Sequence, residues 1–547
     1  VRAFLYNTVR QKNPALTPAE LLEIPRLNSA VKTLSNQNSN PQLSDERNRH
    51  FQTDHLKTDL GGRSARAGAV TLAAQVLKFV IAMVATIVLA RLLTPSDYGL
   101  IGMVAIVVNF VGMFPFMGLS TATMRWSELN HQQVSTLFWI NVGLSAVIML
   151  VAVGCAPLLG WFYGEPRLIG IMAVYAVTIF LTGFYIQHEA ILSRQMRFVS
   201  ISIIEVAAML IGFGSAIVAA WRGAGYWSLV INQLVMTLVT IAGVWAACRW
   251  RPGLPVRGSG VRSMLSYGGG LTGFNVTNYF ARNLDNALIG KFWGAYQLGI
   301  YSRAYQMLLM PVQQINAPLV AVAVPALSRL TDSPERYRAA YLKILEKVAM
   351  ITMPGVVFMI ATSDWLVLFL LGPQWTAASR IFMLLGIAAI IQPVTKTVLW
   401  LFTTQGRSRE MFHWGMIAST ISIVSIVAGL PWGAAGVACA YAATDLCVSA
   451  PLLFWYVGRK GPVRARDFYH TIAPAAAASI CSLAVLLLFR PWLAAFQHLV
   501  TRLGLAFAIT LGTSLIVLAA LPAGRLALRN FKELLMLLGR KRVEPVV

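Results

Sequence analysis

Apolar stretches of about 20 residues recur along nearly the whole chain, separated by short basic or turn-forming segments. As a helix, each is long enough to cross a hydrocarbon layer roughly 30 Å thick. Composition agrees, with 57% hydrophobic and only 12% charged residues, where a soluble chain would carry roughly a quarter. The expectation is an all-α, polytopic membrane protein of about 14 spans. They lie near 68–90, 98–119, 134–159, 168–189, 199–220, 226–248 and 264–290, then 298–322, 341–362, 376–400, 411–430, 436–458, 470–489 and 503–522.

The formal charge of +24 would suit nucleic acid if it were clustered on a soluble face. Instead Lys and Arg gather in the two tails and in every second loop, while the opposite loops hold 6. Cationic loops stay cytoplasmic, so both termini are expected there, with a secondary attraction to anionic membrane lipids. No nucleic-acid partner is expected. The five cysteines, Cys155, Cys248, Cys439, Cys447 and Cys481, lie in or at the ends of apolar runs without CxxC or metal spacing. They read as small packing residues, and no metal or cofactor is expected. Residues 1–62 are polar, and read either as a disordered tail or as a start placed too far upstream.

A shift of 200 residues aligns the hairpin RLLTPSDYGL (91–100) with KFWGAYQLGI (291–300). Gly68 falls on Gly268, Gln75 on Asn275, Lys78 on Asn278, Arg91 on Lys291 and Gly99 on Gly299. With small changes of offset, WFYGEP (161–166) echoes FLLGPQ (369–374) and RGAGYWSLV (222–230) echoes WGAAGVACA (432–440). The period covers six spans, an even number, so both repeats enter the membrane from the same side. Parallel repeats imply two lobes about an axis along the membrane normal, with a substrate site between them. The expected division is 63–258 and 259–462 for the two lobes, then 463–547 for two further spans and a basic tail. Within the turn, Thr94 is placed to cap the next helix, Pro95 to open it and Asp97 to close a capping box.

Charged side chains within a span need a cavity or a partner. Thr71, Gln75 and Lys78 share one helical face, and Asn275, Asn278, Arg282 and Asn286 make a similar stripe, with Asp285 beside it. The two stripes coincide under the 200-residue shift. They are expected to face a shared central cavity, made cationic by Lys78, Arg282 and, on the next span, Arg303. A second reading pairs Arg282 with Asp285 and leaves the amides bonding between helices. Lys396 is read as a weaker cavity candidate or a snorkelling side chain, and Glu205 as a group near the cytoplasmic surface. Asp285 and Asp445 are the carboxylates available to a coupling proton or Na⁺. Pro115, Pro311, Pro318, Pro354 and Pro393 interrupt spans and favour kinks.

No P-loop, HExxH or GxSxG pattern occurs, and no loop of the less basic side exceeds about 15 residues, so transport is expected rather than catalysis. VLARLLTPSDYGLIGMV (88–104), LSRQMRF (192–198), GAGYWSLV (223–230) and NLDNALIGKFWGAYQLGIYSRAYQM (283–307) resemble the polysaccharide exporters of the MOP flippase superfamily. The likeness is to the Wzx and colanic-acid-exporter branch, over about residues 63–520.

The resemblance implies a two-lobed bundle in the bacterial inner membrane. It also implies a cargo of undecaprenyl-pyrophosphate-linked oligosaccharide, moved to the periplasmic leaflet by alternating access, with a polymerase and glycosyltransferases of the same pathway as partners. On that footing Lys78, Arg282 and Arg303 would hold the pyrophosphate, and Gln75, Asn275 and Asn278 would meet sugar hydroxyls. The alternatives are a peptidoglycan-precursor flippase, a drug exporter of the MATE type, for which acidic cavity groups are expected, and a polymerase or ligase enzyme, for which a large periplasmic loop is expected.

Overall fold

In the computed structural model the described residues are 60–116, 123, 129–255, 262–522 and 524–529. The tail 1–59 lies outside them, as do the side chains of Pro115, Asn275, Asn278, Arg282 and Pro318. Among the described residues there are fifteen α-helices and no strands.

The first six are α1 (Leu60–Leu92), α2 (Pro95–Phe116), α3 (His131–Tyr163), α4 (Arg167–Arg194), α5 (Phe198–Trp221) and α6 (Trp227–Cys248). Then α7 (Arg262–Ser328) turns at Gly294, whose φ of 77° and ψ of −178° divide it into arms 262–293 and 295–328. Only glycine reaches that backbone region at low cost. It falls inside the expected loop between the seventh and eighth spans.

Next come α8 (Pro334–Ala361), the short α9 (Ser363–Leu370), α10 (Thr376–Thr404), α11 (Ser408–Gly429), α12 (Gly433–Thr444) and α13 (Ala450–Gly458). A π-turn over Asp445–Ser449 joins the last two. The chain closes with α14 (Ala465–Ala494) and α15 (Leu499–Ala520).

Eleven stretches among the described residues are long and apolar enough to cross a membrane, and the chain is a multi-pass membrane protein. Where the sequence suggested a plain loop at 363–375, the structure adds α9. Asp364 lies in its first turn, where negative charge suits the helix dipole, and Arg490 of α14 donates to the same carboxylate at 2.7 Å.

The cap read from the sequence is present: the Thr94 N–H and hydroxyl both donate to Asp97 Oδ2, at 2.9 and 2.7 Å. The repeat is also written in the backbone. Gly164 and Gly372, Met196 and Gly406, and Gly223 and Gly433 all have positive φ, at matching places 208 to 210 residues apart.

Two helix groups meet along a central seam. In the first, α1 lies on α5, α3 on α4, and α6 on α4 and α5; in the second, α10 packs against both α8 and the arms of α7. The main buried cluster joins them, with Leu89, Leu100, Met103, Leu298, Tyr301 and Trp375 among its members. α14 lies against α8 and carries α15. Arg338 Nε donates to Asp467 at 2.8 Å across the α8–α14 contact, and the Ser482 and Ser514 hydroxyls meet at 2.8 Å between α14 and α15. Without a hydrophobic drive inside lipid, such close packing and polar bonds hold the bundle. Trp161, Trp221, Trp432 and Trp492, at or just beyond the ends of α3, α5, α11 and α14, are exposed, as indoles are at a membrane interface.

Candidate functional site

At the Arg91 end the seam is shut by contacts that mirror one another. A Cβ on Gly99 would fall 1.7 Å from the Ala295 carbonyl oxygen, and one on Gly299 would fall 1.8 Å from that of Pro95. Residues 95 and 99 map onto 295 and 299 under the 200-residue shift, so α2 and the second arm of α7 cross with two glycines in equivalent seats.

The equivalent basic residues behave alike. Arg91 Nη2 donates to the Phe369 carbonyl at 2.9 Å, while Lys291 donates to the Phe162 carbonyl and lies over that ring. Each thus leaves its own hairpin for the other helix group. Gln374 and Trp375 add further bonds from the second group to the Ala90 and Leu93 carbonyls at the end of α1.

Below this closure lies a cavity of about 220 Å³ between α1, the second arm of α7, α8, α9 and α10. Phe79, Met83, Met307, Met310, Met359 and Phe382 make much of its wall. Arg303 is its charged lining residue, with Gln306 and Thr86 beside it. The guanidinium lies 3.7 Å over the Tyr98 ring and donates to Gln306 Oε1 at 2.8 Å. The cavity is therefore apolar with one cation anchored at its side.

Lys78 is elsewhere. At about 100° per residue it lies more than a quarter-turn from the α1 face formed by Phe79, Met83 and Thr86, and it points at α5. There its Nζ meets Glu205 Oε2 at 2.7 Å. The expectation of a free cation at Lys78 thus meets a partner that the sequence reading had set aside as a surface group. A signal was available: Glu205 is the one charged residue of α5, and a lone carboxylate within a span invites a basic partner. Gln75, one turn earlier on α1, is exposed.

Asp285 engages neighbours on both oxygens: Oδ1 accepts from the Asn286 N–H at 2.8 Å, and Oδ2 from the Tyr301 hydroxyl at 2.9 Å. Tyr301 stacks parallel to Tyr305, with ring centroids 6.3 Å apart. Tyr441 lies near enough to interact with Tyr301, and its hydroxyl accepts from Gln392 at 3.2 Å. The Gln392 amide also lies close enough to act on Asp445, as does Lys396. One polar chain thus runs from the first arm of α7 through α12 and α10 to the π-turn. Along it, Asn286 Oδ1 and Asp445 Oδ2 are buried without a hydrogen-bond partner among the described residues. Sequence reasoning named both carboxylates but missed the tyrosines and Gln392 that connect them, because those contacts join residues 16 and 49 positions apart, on different arms or helices. No group of three His, Cys, Asp or Glu side chains among the described residues is placed to hold a metal ion.

Residues 88–380 match the family model described as "Polysaccharide biosynthesis protein". The lipopolysaccharide biosynthesis protein WzxC of Escherichia coli K12 is 24% identical over 348 residues, 62% of this chain and 70% of that protein. The teichuronic acid biosynthesis protein TuaB of Bacillus subtilis 168 is 25% identical over 300 residues, 54% of this chain and 62% of its own length. The succinoglycan biosynthesis transport protein ExoT of Rhizobium meliloti is 24% identical over 342 residues, covering 62% and 69%.

Among solved structures, the lipid II flippase MurJ in an inward closed conformation aligns with a TM-score of 0.65 at 13% identity, over 82% of this chain and 98% of that one. An inward-facing multidrug resistance MATE family transporter of the MOP superfamily aligns at 0.55, also at 13% identity, over 75% and 98%. These neighbours share the fold described above. With more than half its length inside the family model and the bundle of a MOP transporter, the chain belongs to the polysaccharide biosynthesis protein family.

Proposed function

We propose that this protein is a flippase that carries a lipid-linked oligosaccharide, built on undecaprenyl pyrophosphate, from the cytoplasmic to the periplasmic leaflet of the bacterial inner membrane. The observation that carries the reading is the seam: two repeat-related helix groups close reciprocally at one end over a cavity that holds a cation. Such a seam suits alternating access, and the relatives named for polysaccharide biosynthesis and transport suit the cargo.

On this reading the lobes are 63–258 and 259–462, and the chain crosses fourteen times. Eleven long apolar stretches contribute, the one at Ser408–Gly458 counting twice because the chain turns at Gly433, and the two arms of α7 complete the number. Both termini face the cytoplasm, where the basic loops gather, and the Arg91 end is periplasmic. Arg303, Arg282 and Lys78 serve the pyrophosphate, and Gln75, Asn275, Asn278 and Asn286 the sugars. Asp285 and Asp445, joined by the tyrosine and glutamine chain, serve a coupling proton or Na⁺. A polymerase and glycosyltransferases precede or follow it in the pathway.

A drug exporter of the MATE type is the second reading from the fold. It is disfavoured because the charged side chain on the described cavity wall is an arginine, which repels the cationic drugs that an acidic site would hold. A peptidoglycan-precursor flippase shares the pyrophosphate chemistry and is separated by experiment. Deleting the gene in its host is expected to abolish surface polysaccharide and leave the lipid-linked unit on the cytoplasmic leaflet, with the intact chain restoring both. Restoration of lipid II transport or of drug resistance, with no effect on polysaccharide, would overturn the proposal.

A further inference from the structure

A cationic seam open to a bilayer meets anionic phospholipids in great excess over any cargo, and each offers a lysine a phosphate. Selectivity for a rare pyrophosphate lipid therefore needs something that refuses the common single phosphate. The pair at Lys78 has that form. Lys78 lies eight residues inside the apolar stretch Val70–Leu92, about 12 Å along the helix, and Glu205 is seven residues into α5. At such depth a charge pair facing acyl chains is strongly disfavoured. Yet the two side chains keep 21% and 41% of their exposure, which points to a water-filled approach rather than a sealed helix contact. Glu189 on α4 is close enough for its charge to act on Glu205, whereas α6, the other helix packed along α5, brings no charged side chain.

We infer that Glu205 is an internal counter-ion that sets the charge a cargo head must carry to engage Lys78. The inference rests on the flippase reading above. A phosphodiester brings one negative charge, no more than the carboxylate it would displace, and displacement strands Glu205 beside Glu189. A pyrophosphate brings at least two charges and more acceptor oxygens, enough to take Lys78 from its partner. The carboxylate, already half exposed, is then hydrated from the approach. Selectivity comes from an attraction the wrong lipid has to break, so Glu205 is a specificity residue rather than a contact of the cargo.

The test uses the full chain in nanodiscs of phosphatidylethanolamine and phosphatidylglycerol, with farnesyl diphosphate and farnesyl methyl phosphate, a phosphodiester of single charge, as probes. The wild type is expected to prefer the diphosphate about tenfold or more, and Glu205→Gln to reduce that preference to about twofold. Glu205→Gln also makes phosphatidylglycerol a competitor, and Glu205→Asp keeps the wild-type preference. Lys78→Ala weakens diphosphate binding about tenfold and removes the preference.

An unchanged ratio in Glu205→Gln, or wild-type affinity in Lys78→Ala, would overturn the inference. So would a wild type that binds the phosphodiester or phosphatidylglycerol as tightly as the diphosphate, a readout that needs no variant to fold. Export in cells separates the two levels: an unmoved ratio with surface polysaccharide intact removes the counter-ion and leaves the flippase reading standing.

Discussion

Arg303 shows how one side chain can be legible by type and hidden by geometry. A basic residue within a span announces a cavity or a partner, and the cavity is there. The sequence did not show that the guanidinium would sit over the ring of Tyr98, from a helix of the other group. Stacking and a planar fork belong to arginine and not to lysine. Arg303→Met is therefore expected to lower export about tenfold or more, in line with the roughly 1.5–3 kcal/mol of a hydrogen bond to a charged group. Arg303→Lys should fall between, as measured by surface polysaccharide at matched protein level. Tyr98 offers the opposite case. Its buried hydroxyl has no hydrogen-bond partner among the described residues, so Tyr98→Phe removes an unsatisfied polar group and is expected to leave thermal stability equal or higher. A loss of several degrees in detergent would show that the hydroxyl has a partner.

At the level of elements, the crossing of α2 with the second arm of α7 follows from two glycines. Substituting Gly99 or Gly299 by Ala sets a methyl against a backbone carbonyl that has no room to yield. Overpacking of this kind costs about 1–3 kcal/mol, and here it penalises the closed arrangement alone. Gly99→Ala is expected to raise the labelling of cysteines placed at the Arg91 end by a membrane-impermeant thiol reagent. Unchanged labelling would mean that the closure is not set by that crossing.

The helices themselves were readable because twenty apolar residues in lipid leave the backbone little choice, and the Thr94–Asp97 cap because its chemistry is local. The short α9 was not, since eight residues after a long span look like loop. The Lys78–Glu205 pair and the Gln374 and Trp375 bonds were hidden for another reason: they join residues 127 to 285 positions apart, and periodicity carries no information about such neighbours.

For the molecule as a whole, the repeat seen in the hairpins returns as positive-φ positions matched 208 to 210 residues apart, and at one end of the seam as matched glycines and exchanged basic residues. An interface whose two sides are copies of one motif can open by rotation of each group about a common axis, and on the proposed reading the cation between them would hold the anionic lipid head. The most direct measurement is a reversible lock. In a chain whose five cysteines are replaced, Arg91→Cys and Phe369→Cys are bridged by a short, reducible thiol crosslinker, and polysaccharide export is followed before and after reduction. Export is expected to stop when the bridge forms and to resume when it is cleaved, while either single cysteine treated alone exports normally. Full export with the bridge intact would contradict a transport cycle in which the two halves part at this end.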